Sequence, residues 1–309
     1  MPTTKAQFTR QMTAAEFDAL FPNDVACKAY LRDRRWPDGV RCPRCGSDRV
    51  FELATMPFKW ECMACGQSTS YRFSVLVGTV FENTNIGLRD WFKVIYMMMT
   101  GKKGVAALEV QRVMGFGSYR TAHYMCHRIR AGLVDPEFRK LMGIVEADET
   151  YIGGKAKNKH GGHGPGGRGT VGKQIVAGAV SRKGKVVARV INSTDAHTLQ
   201  GFVREAVSTK VDLLATDEHA SYKGLGKDYP HGFVRHGRGE YVVGAVHTQT
   251  IDGFWSLIKR GIMGTFHKVS AKYLPLYVAE FEFRYNNRNN PDIFGAAAGL
   301  FNAVRRRAF

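Results

Sequence analysis

Four residues of this chain have types and spacing suited to phosphoryl chemistry: Asp148, Asp217, Asp252 and Lys259. Asp148 and Asp217 follow apolar runs that read as strands, and Asp252 opens a stretch that reads as a helix carrying Lys259. Carboxylates gathered from two strands and a helix could hold two magnesium ions against a DNA phosphate, since magnesium takes oxygen ligands and keeps part of its water shell. Glu149 and Glu218 directly follow two of these acids; strand alternation turns neighbours to opposite faces, so both are expected to face solvent.

A second constellation is sulfur-based. Cys42-Pro-Arg-Cys45 and Cys62-Met-Ala-Cys65 are two CxxC pairs with 16 residues between them, and Gly46 and Gly66 follow them. Two short knuckles presenting paired thiolates fit one tetrahedral structural zinc ion. A redox role needs one such pair, not two. Cys27 and Cys126 have no partner at ligand spacing and read as small buried apolar residues.

The elements that must position these groups sit in a chain of 309 residues, long enough for two or three domains. Lys and Arg outnumber Asp and Glu by 45 to 27, a formal charge of +18, which favours a polyanionic partner through counterion release. No apolar run approaches the roughly 18 residues of a membrane helix, and Met1 to Phe17 lacks the apolar core of a signal peptide. The expected location is therefore the cytoplasm, at the nucleoid, with no membrane partner.

Three regions are expected: an N-terminal helix and zinc ribbon over 1–75, a helical helix-turn-helix region over 76–142, and an α/β catalytic core over 143–309. In the first, one helix is predicted from Thr13 to Arg34, followed by short strands at 50–53, 58–62 and 69–73. In the second, helices are predicted at 87–101, 105–114 and 119–133, with Gly115 to Ser118 as the turn. The last of these helices carries Arg120, His123, His127, Arg128 and Arg130 at polar positions, as a recognition helix in a major groove would. A plain helical hairpin with a solvated basic face is the competing reading.

In the third region, an apolar strand over 143–147 leads into Asp148, a hairpin spans 174–181 and 185–192, a helix spans 198–207, and a strand over 211–215 delivers Asp217. A meander, a helix, a parallel strand and a late helix with acids at strand ends make a ribonuclease-H-like mixed sheet. The basic, glycine-rich loop 153–173 carries Lys155, Lys157, Lys159 and Arg168, expected to meet DNA phosphates, as is Arg260. His160 and His163 in that loop have no acid or cysteine beside them and read as solvated.

Several blocks, taken in order, resemble the ISXO-type transposases of insertion-sequence family fifteen ninety-five. They are Arg35-Trp-Pro-Asp-Gly39 leading to Cys42, Gly78-Thr-Val-Phe81, Ala147-Asp-Glu-Thr-Tyr-Ile-Gly-Gly-Lys155, Thr216-Asp-Glu218, Val246-His-Thr248, Ile251 to Arg260 and Arg284-Tyr-Asn286. The resemblance implies a zinc ribbon, a helix-turn-helix and a DDE-type core with Asp148 and Asp217 as its first two acids. The third could be Asp252, where the family usually carries Glu, or Gln249, where many carry Asn. Asp252 is preferred because a carboxylate neutralises magnesium and an amide does not. Lys259, two turns later on the same helix face, matches the family's terminal Lys, a compact charge for a phosphate.

The implied reaction uses one site twice. Water cuts the phosphodiester at a transposon end to expose a 3′ hydroxyl, and that hydroxyl then attacks target DNA. Implied partners are double-stranded DNA, as transposon ends and target, and a second copy of the chain, since two ends must be brought together. A catalytically inactive DNA-binding regulator and a ribonuclease-H-like nuclease are the alternatives.

Overall fold

The computed structural model describes residues 11–65, 71–135, 138–154, 172–234 and 246–301. Most of loop 153–173, with Lys155, Lys157, Lys159 and Arg168, lies outside the described residues. The chain divides into two compact units, Met1–Pro136 with Asn287–Phe309, and Glu137–Asn286.

The first unit opens with α1 (Ala14–Leu20), closed at its start by a capping box between Thr13 and Glu16, and α2 (Asp24–Arg35), capped by Asn23. The single helix expected over 13–34 is thus two. Pro22 has no N–H to donate and disfavours helical geometry in the residue before it. Phe21 accordingly leaves the helical region at φ −125°, ψ 63°. Strands β1 (Val50–Glu52), β2 (Lys59–Cys62) and β3 (Tyr71–Ser74) form an antiparallel ribbon in sequence order. Helices α3 (Leu88–Thr100), α4 (Ala107–Met114) and α5 (Tyr119–Gly132) follow. The turn between α4 and α5 is made possible by Gly115, whose φ of 68° is left-handed, and Ser118 caps α5. A helix over Ile293–Leu300 also belongs to this unit, tied to α2 by Arg34, which bonds Asp292 at 2.9 Å and the Gly295 carbonyl at 2.8 Å.

The second unit is built on a five-stranded mixed sheet in the order β6-β5-β4-β7-β8. Its strands are β4 (Ile144–Ile152), β5 (Gln174–Ser181), β6 (Val186–Ile191), β7 (Leu213–Thr216) and β8 (His231–Phe233). The first three form the antiparallel meander, β7 lies parallel to β4, and β8 lies parallel to β7. This is the ribonuclease-H-like plan. One difference matters for the site: β4 does not stop before Asp148, because β5 pairs with it as far as Ile152↔Gln174. Asp148 therefore stands in mid-strand opposite Gly178.

Alternation gives the sheet two apolar faces. Val145, Ala147, Ala177 and Leu214 pack against Leu199, Phe202, Val203 and Ala206 of α6 (Ala196–Ala206). Val176, Val180, Val186 and Ala188 pack on the other side against α7 (Gln249–Gly261) and α8 (Leu274–Asn286). In the run that forms α8, Glu280, Glu282, Arg284 and Asn286 alternate with apolar residues, so its sequence shows no helical period. Its Asn286 and Glu282 accept the Val186 and Ala188 N–H groups at 2.7 and 3.0 Å, occupying the exposed edge of β6.

Gly178 sets how closely α7 approaches. A Cβ at this position would come within 2.5 Å of the Trp255 ring. Gly178→Ala is expected to cost about 1–3 kcal/mol by overpacking. In a double-mutant cycle with Trp255→Phe, measured by chemical denaturation, the combined loss should be smaller than the sum.

Candidate active site

The acids are placed by the register of two parallel strands. Ile144↔Leu213, Val145↔Leu214 and Glu146↔Ala215 are paired. Continuing that register by two residues sets Asp217 level with Asp148, one strand away. Asp148 faces α7, where the Trp255 Nε1 donates to its Oδ2 at 2.8 Å. Asp217, just beyond β7, accepts the His219 N–H at 3.0 Å, and Thr216 beneath it bonds His231 at 2.9 Å. An open cleft of about 300 Å³ begins at Asp217 and is walled by His219, Tyr222, Lys223, His231 and Phe233.

Glu149 corrects an expectation. It is half-buried rather than solvent-facing, and the buried Tyr222 hydroxyl donates to it at 2.7 Å. Tyr222 is brought there by a 3₁₀ segment over Ala220–Lys227, which has no two- or 3.6-residue period to announce it. Glu218 is exposed, as alternation implied.

The electrostatics follow from burial. Desolvation, with Glu149 and Asp217 nearby, pushes the Asp148 carboxyl up to about 7, against the opposing effect of the Trp255 hydrogen bond. Burial also raises Glu149, against the hydrogen bond from Tyr222. Among the described residues, Asp148, Glu149 and Asp217 take part in no ion pair. In a chain of charge +18, this is a deficit of positive charge at one place.

Asp252 and Lys259 are exposed on α7, and so is Gln249 at its first position. Arg260 is exposed and bonds the Ser256 carbonyl at 3.2 Å. The three aspartates are not drawn into a ligand cluster; among the described residues only the four cysteines are. Like charges held in a poorly solvated place repel unless a cation lies between them.

The sulfur site has the right dimensions. Four thiolates about 2.3 Å from one zinc stand about 3.8 Å apart along the edges of a tetrahedron. Cys42 and Cys65 sulfurs are 3.8 Å apart, Cys45 and Cys62 sulfurs 3.7 Å, and all four lie within 4.8 Å of one another. Gly46, at φ 74°, makes the first knuckle turn; Gly66 lies outside the described residues.

The expected DNA-reading residues of α5 are divided by burial. Arg120 is exposed and His123 half-buried, whereas His127, Arg128 and Arg130 are buried, at 6%, 7% and 1% exposure. Arg128 lies over the Trp91 and Tyr124 rings and donates to the Glu82 carbonyl at 3.0 Å. Burial, with Arg130 close by, lowers His127 to about 3 and lowers His123 as well, so neither imidazole offers charge at neutral pH. The helix face counted as polar from sequence is largely an inward face.

The Asp148 environment has a pH signature. Without divalent ions, native Asp148 holds its proton up to about pH 7, while the unfolded carboxyl, at 3.8, loses it near pH 4. Its contribution is complete below about pH 4 and is lost as pH rises through about 7. Asp148→Asn should therefore match the parent near pH 4 and exceed it by about 4 kcal/mol at pH 8 in chemical denaturation without added magnesium.

Residues 140–286 match the ISXO2-like transposase domain, and residues 22–68 match a transposase zinc-ribbon domain. A protein of Halobacterium salinarum described as an uncharacterized protein in transposable element ISH50 is 27% identical over 285 residues, which cover 85% of this chain and 91% of that protein. Among solved structures, a cryo-EM structure of the simian T-cell lymphotropic virus intasome in complex with PP2A regulatory subunit B56 gamma matches 62% of this chain and 65% of that chain. The identity is 15% and the TM-score 0.29, a likeness too loose to carry an argument.

Proposed function

We propose that this chain, which matches the ISXO2-like transposase domain and a transposase zinc ribbon, cuts the ends of a mobile element to expose 3′ hydroxyls and joins those ends to target DNA. Asp148, Asp217 and Asp252 serve as the catalytic carboxylates and Lys259 as the phosphate-holding cation. The observation that carries this reading is that, among the described residues of a strongly basic chain, Asp148, Glu149 and Asp217 take part in no ion pair. Such a set fits divalent cations with oxygen preference, and Asp148, Asp217 and Asp252 would hold magnesium. When bound, two magnesium ions supply charge stabilisation to the attacking and leaving oxygens of an in-line displacement.

The chain's own residues do the positioning. Trp255 orients the Asp148 carboxylate through its Nε1 hydrogen bond. Helical phase favours Asp252 over Gln249 as the third ligand. At about 100° per residue, Asp252 lies about 60° around α7 from Trp255, and Gln249 about 120°. Lys259 lies about 40° from Trp255, on the same flank, where it can hold a phosphate oxygen while the bond to phosphorus exchanges. Asp is one methylene shorter than Glu, so a close helix or a bridging water completes the reach. DNA contact outside the core falls to the zinc ribbon and to Arg120 in the first turn of α5, where helix N–H groups also favour phosphate. A homodimer or larger assembly on DNA brings the two ends together.

Purified protein with magnesium, on labelled duplex carrying the DNA that flanks its own gene, should give nicked and joined products. Asp148→Asn, Asp217→Asn and Asp252→Asn should each lower the rate at least about a hundredfold, as loss of several kcal/mol of charge stabilisation requires. Gln249→Ala should stay near the parent. Binding without cutting would replace this reading with a regulator, and cutting without joining with a nuclease.

The sulfur site would hold a structural zinc, whose binding is coupled to folding of the ribbon. Elemental analysis should find one zinc per chain and none in Cys62→Ser. That variant should also lose DNA affinity in a mobility-shift titration.

A further inference from the structure

Strand β4 carries a second carboxylate on the face that meets α7. Glu146 lies two residues before Asp148, so alternation directs both toward the same helix. The Glu146 side chain is fully buried. It accepts from the Thr250 N–H at 2.7 Å, the Thr250 hydroxyl at 2.9 Å and the Ile251 N–H at 3.0 Å. Arg182 donates to it at 2.7 Å, and the His247 Nδ1 lies 3.2 Å away. The Arg182 guanidinium also donates to the His247 carbonyl at 3.2 Å, holding the segment that leads into α7.

A buried carboxylate with this many partners does something that apolar packing would not. Apolar contact resists separation but tolerates rotation and sliding, whereas hydrogen bonds to two successive helix amides fix axial position and phase. The free amides and the positive dipole end of α7 are matched by the Glu146 charge, which Arg182 neutralises. The second attachment of α7 to β4 is Trp255 on Asp148. Asp252 stands between the two attachments, one residue after Ile251 and three before Trp255.

We propose that Glu146 is a positioning residue: by gripping the first turn of α7 it sets where Asp252 stands relative to Asp148 for cutting and joining DNA. This rests on the transposase reading above. It assigns no bond-making role to Glu146, which is enclosed away from solvent.

The test compares Glu146→Gln, which keeps shape but not charge, Glu146→Asp, which keeps charge but not reach, and Thr250→Val, which removes only the hydroxyl donor. DNA cleavage is measured as kcat and KM across a magnesium titration, and amide hydrogen exchange is measured at Ile251 and Asp252. Glu146→Gln and Glu146→Asp should lower kcat about tenfold to a hundredfold, the scale of an ångström-level misplacement. KM for DNA should change less than about twofold, more magnesium should be needed, and exchange at the α7 start should quicken. Thr250→Val should shift the same quantities in the same direction by less. Should Glu146→Gln fail to fold, Thr250→Val decides the matter. Parent kcat and parent magnesium requirement in the folded variants would overturn the proposal and reduce Glu146 to a stabilising contact. A parent protein that cuts no DNA at all would instead overturn the transposase reading and this proposal with it.

Discussion

Negative charge on the central strand of a sheet covered on both faces is the constraint around which the second unit is arranged. A carboxylate taken out of water needs a cation or several hydrogen bonds to remain ionised. Strand β4 meets this need in two ways on one face. Glu146 is satisfied internally by Arg182 and the start of α7. Asp148, two residues on, accepts from the Trp255 indole, has no ion pair among the described residues, and keeps its proton up to about pH 7. The first carboxylate is neutralised within the fold, and the second is not.

That division explains features which look unrelated. Gly178 opposite Asp148 lets the indole of Trp255 lie against the sheet, so the helix that donates to Asp148 is the helix whose outer flank bears Asp252 and Lys259. On the reverse face, Tyr222 holds Glu149 away from bulk water while its acid charge adds to the field at Asp148. The chain has 45 basic residues, yet none is in an ion pair with Asp148, Glu149 or Asp217 among the described residues. On the reading proposed above, a lysine or arginine paired there would compete with a divalent cation.

Much of this was legible in the sequence where chemistry demands adjacency in the chain. The CxxC knuckles, the Lys183-Gly184 hairpin and the strand leading to Asp217 all depend on local spacing, and each is found close to where the pattern puts it. What escaped depends on tertiary packing. The arginines of α5 are charged in the sequence and therefore read as outward, but Trp91, Tyr124 and the Glu82 carbonyl give Arg128 partners enough to be buried. Pro22 was a legible break in the first helix. Glu146 had a signal too: an acid in an apolar strand, two positions from Asp148, points to the same face and so to the same helix.

The burial of α5 changes where the basic charge of the chain can act. Counterion release requires cations that can reach a phosphate, and a guanidinium enclosed by aromatic rings and carbonyls contributes to the formal charge without that reach. In α5 the accessible charge is therefore concentrated at its N-terminal turn, where Ser118 caps the helix, Arg120 is exposed and the amide dipoles also favour an anion. A helix entering a major groove by its first turn presents those residues first. The buried C-terminal half then works as a stiff base for that turn, with Arg128 tied to α3 by Trp91 and to the Glu82 carbonyl. On the DNA-binding reading proposed above, a helix strongly basic in composition would offer DNA a small contact at its first turn.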